Sequence, residues 1–213
     1  MKLPESKLFK LSSVLRGPYC YVSPNSKRAL GEVAECFEES KFVPPTCPNW
    51  PDRHSVLTPE PETRDLYAYN RSRSDLMWHP GICLVKTEHI ARIDKHGFTG
   101  IDFRKVNLSS DAKCTKPLEG YSEMRVIGRV PIDMERSGVR VKFACPICGE
   151  KMYSHWDRNL GLHFEGNEDE WPDVFMMEPW ITSFILVKPA FAQLMVDLKL
   201  RPVALKRFED IRV

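Results

Sequence analysis

The chain has no apolar run that approaches the roughly 20 residues needed by a membrane-spanning helix. Its first residues, Met1–Lys7, also lack the apolar stretch of a secretion signal. The 31 basic and 29 acidic residues leave a net charge of +2, which indicates no general affinity for nucleic acid or anionic membranes. The seven cysteines are odd in number and irregularly spaced, which disfavours a disulfide framework. The sequence therefore predicts a cytoplasmic protein without a membrane partner.

Signatures of the common enzyme classes are also absent from the sequence. It contains no Gly-x-Ser-x-Gly elbow, no His-Glu-x-x-His helix and no glycine-rich loop that would cradle a phosphate. The six histidines are scattered singly, so no nucleophile can be paired with a base from their positions. The sequence predicts a protein that is not an enzyme and has no catalytic residues. An enzyme with an unfamiliar site is the weaker alternative.

One compact metal-binding motif is present, Cys145-Pro146-Ile147-Cys148-Gly149. Two thiolates separated by two residues can both point at one tetrahedral zinc ion, but a structural zinc ion takes four ligands. The sequence has no second CxxC pair, so two interpretations stay open: a zinc site, and a hairpin with two thiols and no cofactor. The candidates for further ligands are Cys47, whose neighbour Pro48 repeats the Cys-Pro pair, then His54 or His155 as a fourth ligand, and His163.

The apolar pattern predicts an α+β fold with two similar strand–helix–strand units. Ile82–Lys86 is a buried strand, and Thr87 is predicted to cap the helix that follows it. Phe184–Lys188 is a strand followed by a helix that opens at Pro189. Placing the second unit on the first with a constant offset of 102 residues matches their apolar positions without a gap, which favours an internal duplication.

Antiparallel β structure is predicted between these two units. Met124–Ile132 alternates apolar and polar residues, and so does Val139–Phe143, which places Cys145 and Cys148 in the tight turn of a hairpin. A helix is also predicted from Pro24 to Ser40. The predicted division is an N-terminal half, residues 1–120, with a proline-rich loop over 43–64, and a C-terminal half, residues 121–213, with the CxxC hairpin and the closing unit. A single compact domain is the alternative.

An acidic segment follows the hairpin. Such a segment is usually a solvated loop, but it can also form a contact face for a basic partner, with an aromatic anchor in its centre. The candidate partner-binding residues are Glu165, Glu168, Asp169, Glu170, Trp171 and Asp173.

From Tyr121 to Val213 the chain resembles the double-CXXCG-motif proteins, which are regarded as immunity proteins of bacterial toxin systems. The matching order is the strand Ser122–Val126, the motif Cys145–Gly149, the segment Trp171–Phe175 and the closing unit over residues 184–208. The first motif of that family should lie upstream. Its remnant here is Cys47-Pro48-Asn49-Trp50-Pro51, which lacks the second cysteine and the glycine and leaves Cys47 as the upstream thiol.

The resemblance implies a bacterial, non-enzymatic binding protein that acts in interbacterial competition. Such a protein neutralises a cognate toxin domain by occluding its active site or by locking it in an inactive shape. The alternative is a zinc-knuckle protein that binds nucleic acid or has a regulatory role, with Lys142, Lys151 and Tyr153 as the contact surface. The near-neutral charge and the acidic segment count against nucleic acid as the partner.

Overall fold

The chain folds as a mixed α+β protein, which confirms the predicted fold class. A computed structural model describes residues 3–12, 33–35, 64–68, 75–79, 82–109, 119–147, 149, 151–179, 185–200 and 204–210. Their backbone divides into two units: Pro131–Gly166 form the second, and the other described residues form the first. No helix in these ranges is both long enough and apolar enough to cross a bilayer.

Short strands dominate the described residues, and each α-helix follows a strand directly. In chain order the elements are β1 (Phe9–Ser12), β2 (Val33–Glu35), β3 (Arg64–Ala68), β4 (Leu76–His79), β5 (Ile82–Lys86), α1 (Thr87–Asp94), β6 (Ile101–Ser109), β7 (Tyr121–Val126), β8 (Arg129–Pro131), β9 (Val141–Ala144), β10 (Lys151–Tyr153), β11 (Val174–Glu178), β12 (Ile185–Val187), α2 (Pro189–Asp197) and β13 (Ala204–Arg207).

The first unit contains a six-stranded sheet in the order β2-β3-β6-β7-β5-β4. Strand β7 lies between β5 and β6 and is antiparallel to both, while α1 connects β5 to β6. Because side chains alternate across a strand, each strand of the sheet contributes to two faces. One face supplies Val85 and Met124 to the main core, and the other carries a smaller cluster that includes Leu84 and Tyr121.

A five-stranded sheet in the order β13-β1-β12-β11-β8 completes the first unit. Strand β1 lies between β12 and β13 and is antiparallel to both, while α2 connects β12 to β13. Proline occupies the first position of α2, where its missing N–H costs no hydrogen bond. The order β13-β1-β12-β11 therefore repeats the order β6-β7-β5-β4 of the larger sheet, with a helix at the same place.

Both helices and both sheets contribute to the main core of the first unit. Ile93 of α1 and Phe191 of α2 are completely buried, together with Phe9 of β1 and Phe175 of β11. The ring of Phe191 meets the ring of Phe98 edge to face, with centroids 5.1 Å apart. Complete burial of one such side chain stabilises the fold by about 1.5–3 kcal/mol, so these three rings and one branched side chain hold the two sheets and the helices together.

Two glycines allow the start of β6 to approach β11. The carbonyl of Gly100 accepts the N–H groups of Ile127 and Gly128, both at 2.9 Å, and the carbonyl of Gly128 accepts the N–H of Met176 at 3.0 Å. A Cβ on Gly100 would lie 2.0 Å from the carbonyl oxygen of Val174, and a Cβ on Gly128 would lie 2.2 Å from the same atom. Any side chain at either position would therefore displace backbone.

The second unit is built around the antiparallel pair β9–β10. Phe143 lies opposite Met152 and Ala144 lies opposite Lys151, with a shift of register before Tyr153. The N–H of Ser154 donates to the carbonyl of Arg140 at 2.8 Å, which fixes the base of the hairpin.

A buried hydroxyl holds the segment that follows β10. The Ser137 side chain is fully buried, donates to the carbonyl of His163 at 3.2 Å and accepts the N–H of His163 at 2.9 Å. The N–H of Asp157 also donates to the carbonyl of Ser137 at 2.8 Å. The described part of this unit is thus held largely by hydrogen bonds between segments, with few buried apolar side chains of its own.

Two local predictions from the sequence are wrong. Within the predicted helix from Pro24 to Ser40, residues Val33–Glu35 form strand β2, which pairs antiparallel with β3. The apolar residues have the spacing of a helix, but pairing with the distant strand β3 determines the structure of these three residues. Thr87 is the first residue of α1 rather than its cap, because Lys86 takes the N-cap position and makes no side-chain capping bond.

The predicted division of the chain does not coincide with the two units. Strand β7, which follows residue 120, pairs with β5 and β6, which precede it, so residues from both predicted halves form one sheet. The proline-rich loop over 43–64 lies outside the described residues, except for Arg64, which begins β3.

Candidate functional site

The CxxC turn connects β9 to β10. Cys145 directly follows β9 and its side chain is buried. Its carbonyl accepts the N–H of Gly149 at 2.9 Å, which closes the turn. Gly149 has φ +74°, a conformation that side-chain-bearing residues rarely adopt, so glycine suits this position. The predicted ligands Cys148, Cys47 and His54 lie outside the described residues.

The two histidines near the hairpin differ in their surroundings. His155 is exposed, two residues after β10, whereas the His163 ring nitrogen Nε2 lies 2.8 Å from the carbonyl oxygen of Leu160. As a carbonyl only accepts, His163 Nε2 carries the proton in this contact. Over the described ranges, Cys145 belongs to no group of three metal-ligating side chains within ligand distance of one another. A zinc site at Cys145 would therefore depend on the other thiols, Cys148 and Cys47.

The zinc content of reduced, purified protein separates the two interpretations of this turn. A zinc site predicts about one zinc ion per chain, because four protein ligands suffice for a structural site. That zinc should be lost in Cys145→Ala and retained in Cys83→Ala, a control that removes a buried thiol from the first unit. A hairpin with two thiols predicts zinc-free protein in all three preparations.

The acidic segment is partly engaged in contacts within the first unit. Asp173 Oδ2 accepts both the N–H and the hydroxyl of Thr99, each at 2.9 Å. The Nζ of Lys7 lies 3.0 Å from Glu168 Oε2, an exposed pair. The Trp171 ring packs edge to face on Phe175, with centroids 6.0 Å apart. These contacts give Asp173 and Trp171 structural roles.

The remaining acidic candidates are more accessible. Asp169 and Glu170 lie in a single 3₁₀ turn, Glu168–Glu170, which Asn167 caps by accepting the N–H of Asp169 at 3.2 Å. Their side chains are exposed, as is that of Glu165, which belongs to the second unit. Binding of a partner by this segment stays a prediction.

The hairpin carries most of the exposed apolar side chains. Among the described residues, six large apolar side chains are exposed, and four of them lie on the hairpin: Val141 (45%), Phe143 (40%), Ile147 (58%) and Met152 (38%). Exposed basic residues, Arg140, Lys142 and Lys151, alternate with them. The apolar alternation of Val139–Phe143 predicted a strand, and the hairpin was predicted as a contact surface only for nucleic acid, through Lys142, Lys151 and Tyr153. The exposure of the apolar residues was not predicted, although a basic residue, Arg140 or Lys142, separates successive apolar positions.

A cluster of charged residues at the start of α1 was also missed. The Lys86 Nζ lies 2.8 Å from Asp75 Oδ1 and 3.9 Å from Glu88 Oε1. The buried His89 Nε2 lies 3.5 Å from Asp75 Oδ1 and 3.6 Å from Glu88 Oε1. The hydrogen bond to Asp75 is the main cause that raises the pKa of Lys86.

This cluster has the residue types of a metal site but already contains a cation. The ligand atoms of Asp75, Glu88 and His89 lie within 4.8 Å of one another. The ammonium group of Lys86 neutralises the same two carboxylates, so a metal ion would have to displace it. We therefore interpret the cluster as an ion-pair contact that connects the residue before β4 to the first turn of α1.

Two cross-strand ion pairs lie side by side on β6 and β7. Arg104 lies opposite Glu123, with its Nε 2.5 Å from Glu123 Oε2. Asp102 lies opposite Arg125, which donates from Nε to Asp102 Oδ1 at 2.7 Å and from Nη2 to Oδ2. The hydrogen bonds from Arg125 are the largest cause that lowers the pKa of Asp102. Each carboxylate has a guanidinium partner, as expected of structural charges in a sheet.

The thiol of Cys83 is buried in an environment that disfavours its ionisation. Burial is the main cause that raises its pKa, and the charge of Glu123 raises it further. The thiolate is the reactive form of cysteine, so this environment disfavours a nucleophilic role.

No protein-family model and no curated protein matches this chain.

Proposed function

We propose that the protein is an immunity protein, which binds a cognate bacterial toxin domain and neutralises it by occluding or locking its active site. The observation that carries this proposal is the concentration of exposed apolar side chains on the β9–β10 hairpin. Apolar side chains that face water together are typical of a surface that a partner covers. The double-CXXCG resemblance supports the same function, since it centres on the turn of this hairpin.

Several titratable groups of the first unit already make structural contacts. Asp102 and Glu123 are held by guanidinium groups, and Asp75 is held by the ammonium of Lys86. The thiol of Cys83 is buried and hard to ionise. These contacts are compatible with a protein that acts by binding.

A zinc-knuckle protein that binds nucleic acid is the second candidate. Lys142 and Lys151 are exposed on the hairpin and Tyr153 is half-buried, which is the observation in its favour. Single-stranded nucleic acid is held by stacking of bases on aromatic rings together with basic groups. Phe143 is the one aromatic among the four exposed apolar side chains of the hairpin, and Val141, Ile147 and Met152 offer no such stacking, which favours a protein partner.

The proposed function predicts protection by a neighbouring gene product. The C-terminal domain encoded by the adjacent reading frame should stop growth when it is produced alone in a bacterial host. Coproduction of this chain should restore growth, and the two purified proteins should form a one-to-one complex. A matched plasmid that encodes an unrelated protein of similar size is the control. Failure to bind or protect against any toxin domain encoded nearby would exclude the immunity function.

We also infer that the segments β5–α1–β6 and β12–α2–β13 are copies of one ancestral unit, with the CxxC hairpin between them in sequence. The support is the repeated strand order β6-β7-β5-β4 and β13-β1-β12-β11. Related sequences tend to preserve equivalent core positions, so the offset of 102 residues should recur in relatives of this chain. Relatives in which the two segments cannot be superposed in sequence would contradict the duplication.

A further inference from the structure

We propose that the β9–β10 hairpin is the toxin-docking surface and that it fits a partner cleft that offers both apolar contacts and carboxylates. This inference rests on the proposed function and specifies where the toxin binds and what the toxin surface offers. The proposal differs from the sequence-based prediction, which placed partner binding on the acidic segment from Glu165 to Asp173.

The charges of the hairpin are available to a partner. Arg140, Lys142 and Lys151 are exposed, and none of their side chains makes an ion pair with the part of the chain that the structure describes. Over residues 139–153 the only acidic residue in the sequence is Glu150, so the segment is net basic. In the acidic segment, by contrast, Glu168 pairs with Lys7 and Asp173 is held by Thr99. Free charges steer a partner of opposite sign, whereas charges already paired contribute little.

The apolar residues share the hairpin with those charges. Ile147 is the most exposed of them and stands at the tip of the turn, and Met152 lies opposite Phe143 in the ladder. Such side chains gain free energy only when a partner removes them from water, and they anchor best in a closely fitting pocket. Because Met152 and its neighbour Lys151 point to opposite faces of the strand pair, a partner that uses both must contact both faces.

Backbone hydrogen bonds connect the described residues of the hairpin. Near the tip, the Cys145 carbonyl accepts the Gly149 N–H at 2.9 Å. At the base, the Arg140 N–H donates to Ser154 Oγ at 2.9 Å, and the Ser154 N–H donates back to the Arg140 carbonyl. Backbone held by such contacts loses less conformational entropy on binding than a loose loop would.

The basic residues of the hairpin attract an acidic partner surface and also repel a basic one. Like charges brought together across an interface cost several kcal/mol. A basic surface of similar shape would be rejected for this reason, and an uncharged surface would be met slowly. The expected contact on the toxin domain is thus a cleft that offers apolar residues to Phe143 and Met152 and Asp or Glu side chains to Lys151.

The test measures binding of the toxin domain encoded beside this chain to two sets of variants. The first is the triple variant Arg140→Glu, Lys142→Glu and Lys151→Glu, matched to a control in which Arg92, Lys95 and Lys105, exposed on the first unit, become glutamate. At low ionic strength we expect the hairpin triple variant to associate about 10- to 100-fold more slowly than wild type, with a smaller difference at high salt. The control triple variant should associate within about threefold of the wild-type rate.

The second set tests the apolar anchors. Ile147→Ser should weaken binding about 30-fold, chiefly through faster dissociation, since a buried central anchor contributes at least this much. Ile127→Ser, at an equally exposed isoleucine of the first unit, is the control and should change affinity less than threefold, about the scatter of neutral contacts. Thermal unfolding of each variant shows that loss of binding does not arise from loss of folding.

The outcomes separate the two proposals. If wild-type protein binds and protects but both hairpin variants behave as their controls do, the docking surface is wrong and the immunity function stands. If wild-type protein neither binds nor protects, both are overturned. Self-association of the protein alone that Ile147→Ser abolishes, or salt-dependent binding of a single-stranded RNA that the triple variant abolishes, would assign the hairpin to another partner and would overturn this inference.

Discussion

Replacing Glu123 by alanine should lower the free energy of unfolding by about 3–5 kcal/mol. The side chain of Glu123 is 2% exposed and that of its partner Arg104 is 10% exposed, so the variant would remove the carboxylate that directly contacts a largely buried guanidinium. Removal of one partner of a buried ion pair costs far more than the net contribution of the pair. Urea denaturation of the purified proteins at neutral pH measures the difference.

The neighbouring ion pair provides a matched control for this prediction. Asp102 and Arg125 make the same kind of cross-strand pair on the same two strands, but their side chains are 37% and 34% exposed. Solvent screens such a pair, so Asp102→Ala should cost only about 0–1 kcal/mol. A double variant, Arg104→Met with Glu123→Leu, should recover much of the loss, because an apolar pair leaves no charge stranded. Equal costs for Glu123→Ala and Asp102→Ala would show that burial does not set the strength of these pairs.

Substitution of Gly100 by alanine should have the second-largest effect, a loss of about 3–5 kcal/mol in the free energy of unfolding. Part of this loss comes from φ +86°, which is unfavourable for any side chain. The larger part comes from the new Cβ, which would lie 2.0 Å from the Val174 carbonyl oxygen and 2.7 Å from Pro172 Cβ. Relief of these contacts requires β11 to move away from the start of β6.

Gly97 allows the two contributions to be separated. It also has a positive φ, +63°, but a Cβ added there would meet nothing within 4 Å. Gly97→Ala should therefore show the backbone cost alone, about 1–2 kcal/mol. Chemical denaturation gives the free energy of unfolding of each variant. The difference between the two values is the cost of the contact between the new Cβ and β11. Equal free energies of unfolding for the two variants would contradict this expectation, because they would mean that β11 moves away at no cost.

The sequence predicts the fold best where the local pattern and the long-range pairing agree. Ile82–Lys86 is a run of five residues that suits a buried strand, and β5 has those same bounds. The helix predicted around Val33 is wrong because three residues of that region pair with β3, about 30 positions further along the chain. A short apolar pattern is compatible with either a helix or a strand, and here only the pairing with the distant strand β3 decides between them.

The candidate site was less predictable than the fold. The motif located the turn at Cys145, but an alternating pattern states only that a strand has two faces and not which face a neighbouring layer covers. The exposure of Phe143 and Ile147 depends on what packs beside the hairpin. Asp75 and His89 come together because β4 and β5 pair antiparallel before α1 begins. The spacing of residues along the sequence does not predict this pairing.

The place of β1 in its sheet has a consequence for synthesis of the protein. This strand ends at Ser12 but pairs on both edges, with β12 from Ile185 and with β13 from Ala204. At elongation rates of about 5–20 residues per second, roughly 10–35 s separate its translation from that of its partners. During that interval β1 lacks both of its neighbours in the sheet, and an open strand edge is a template for aggregation. A nascent chain therefore needs either a chaperone or rapid completion to reach the native sheet, and a fragment cut short before β12 would leave both edges of β1 open.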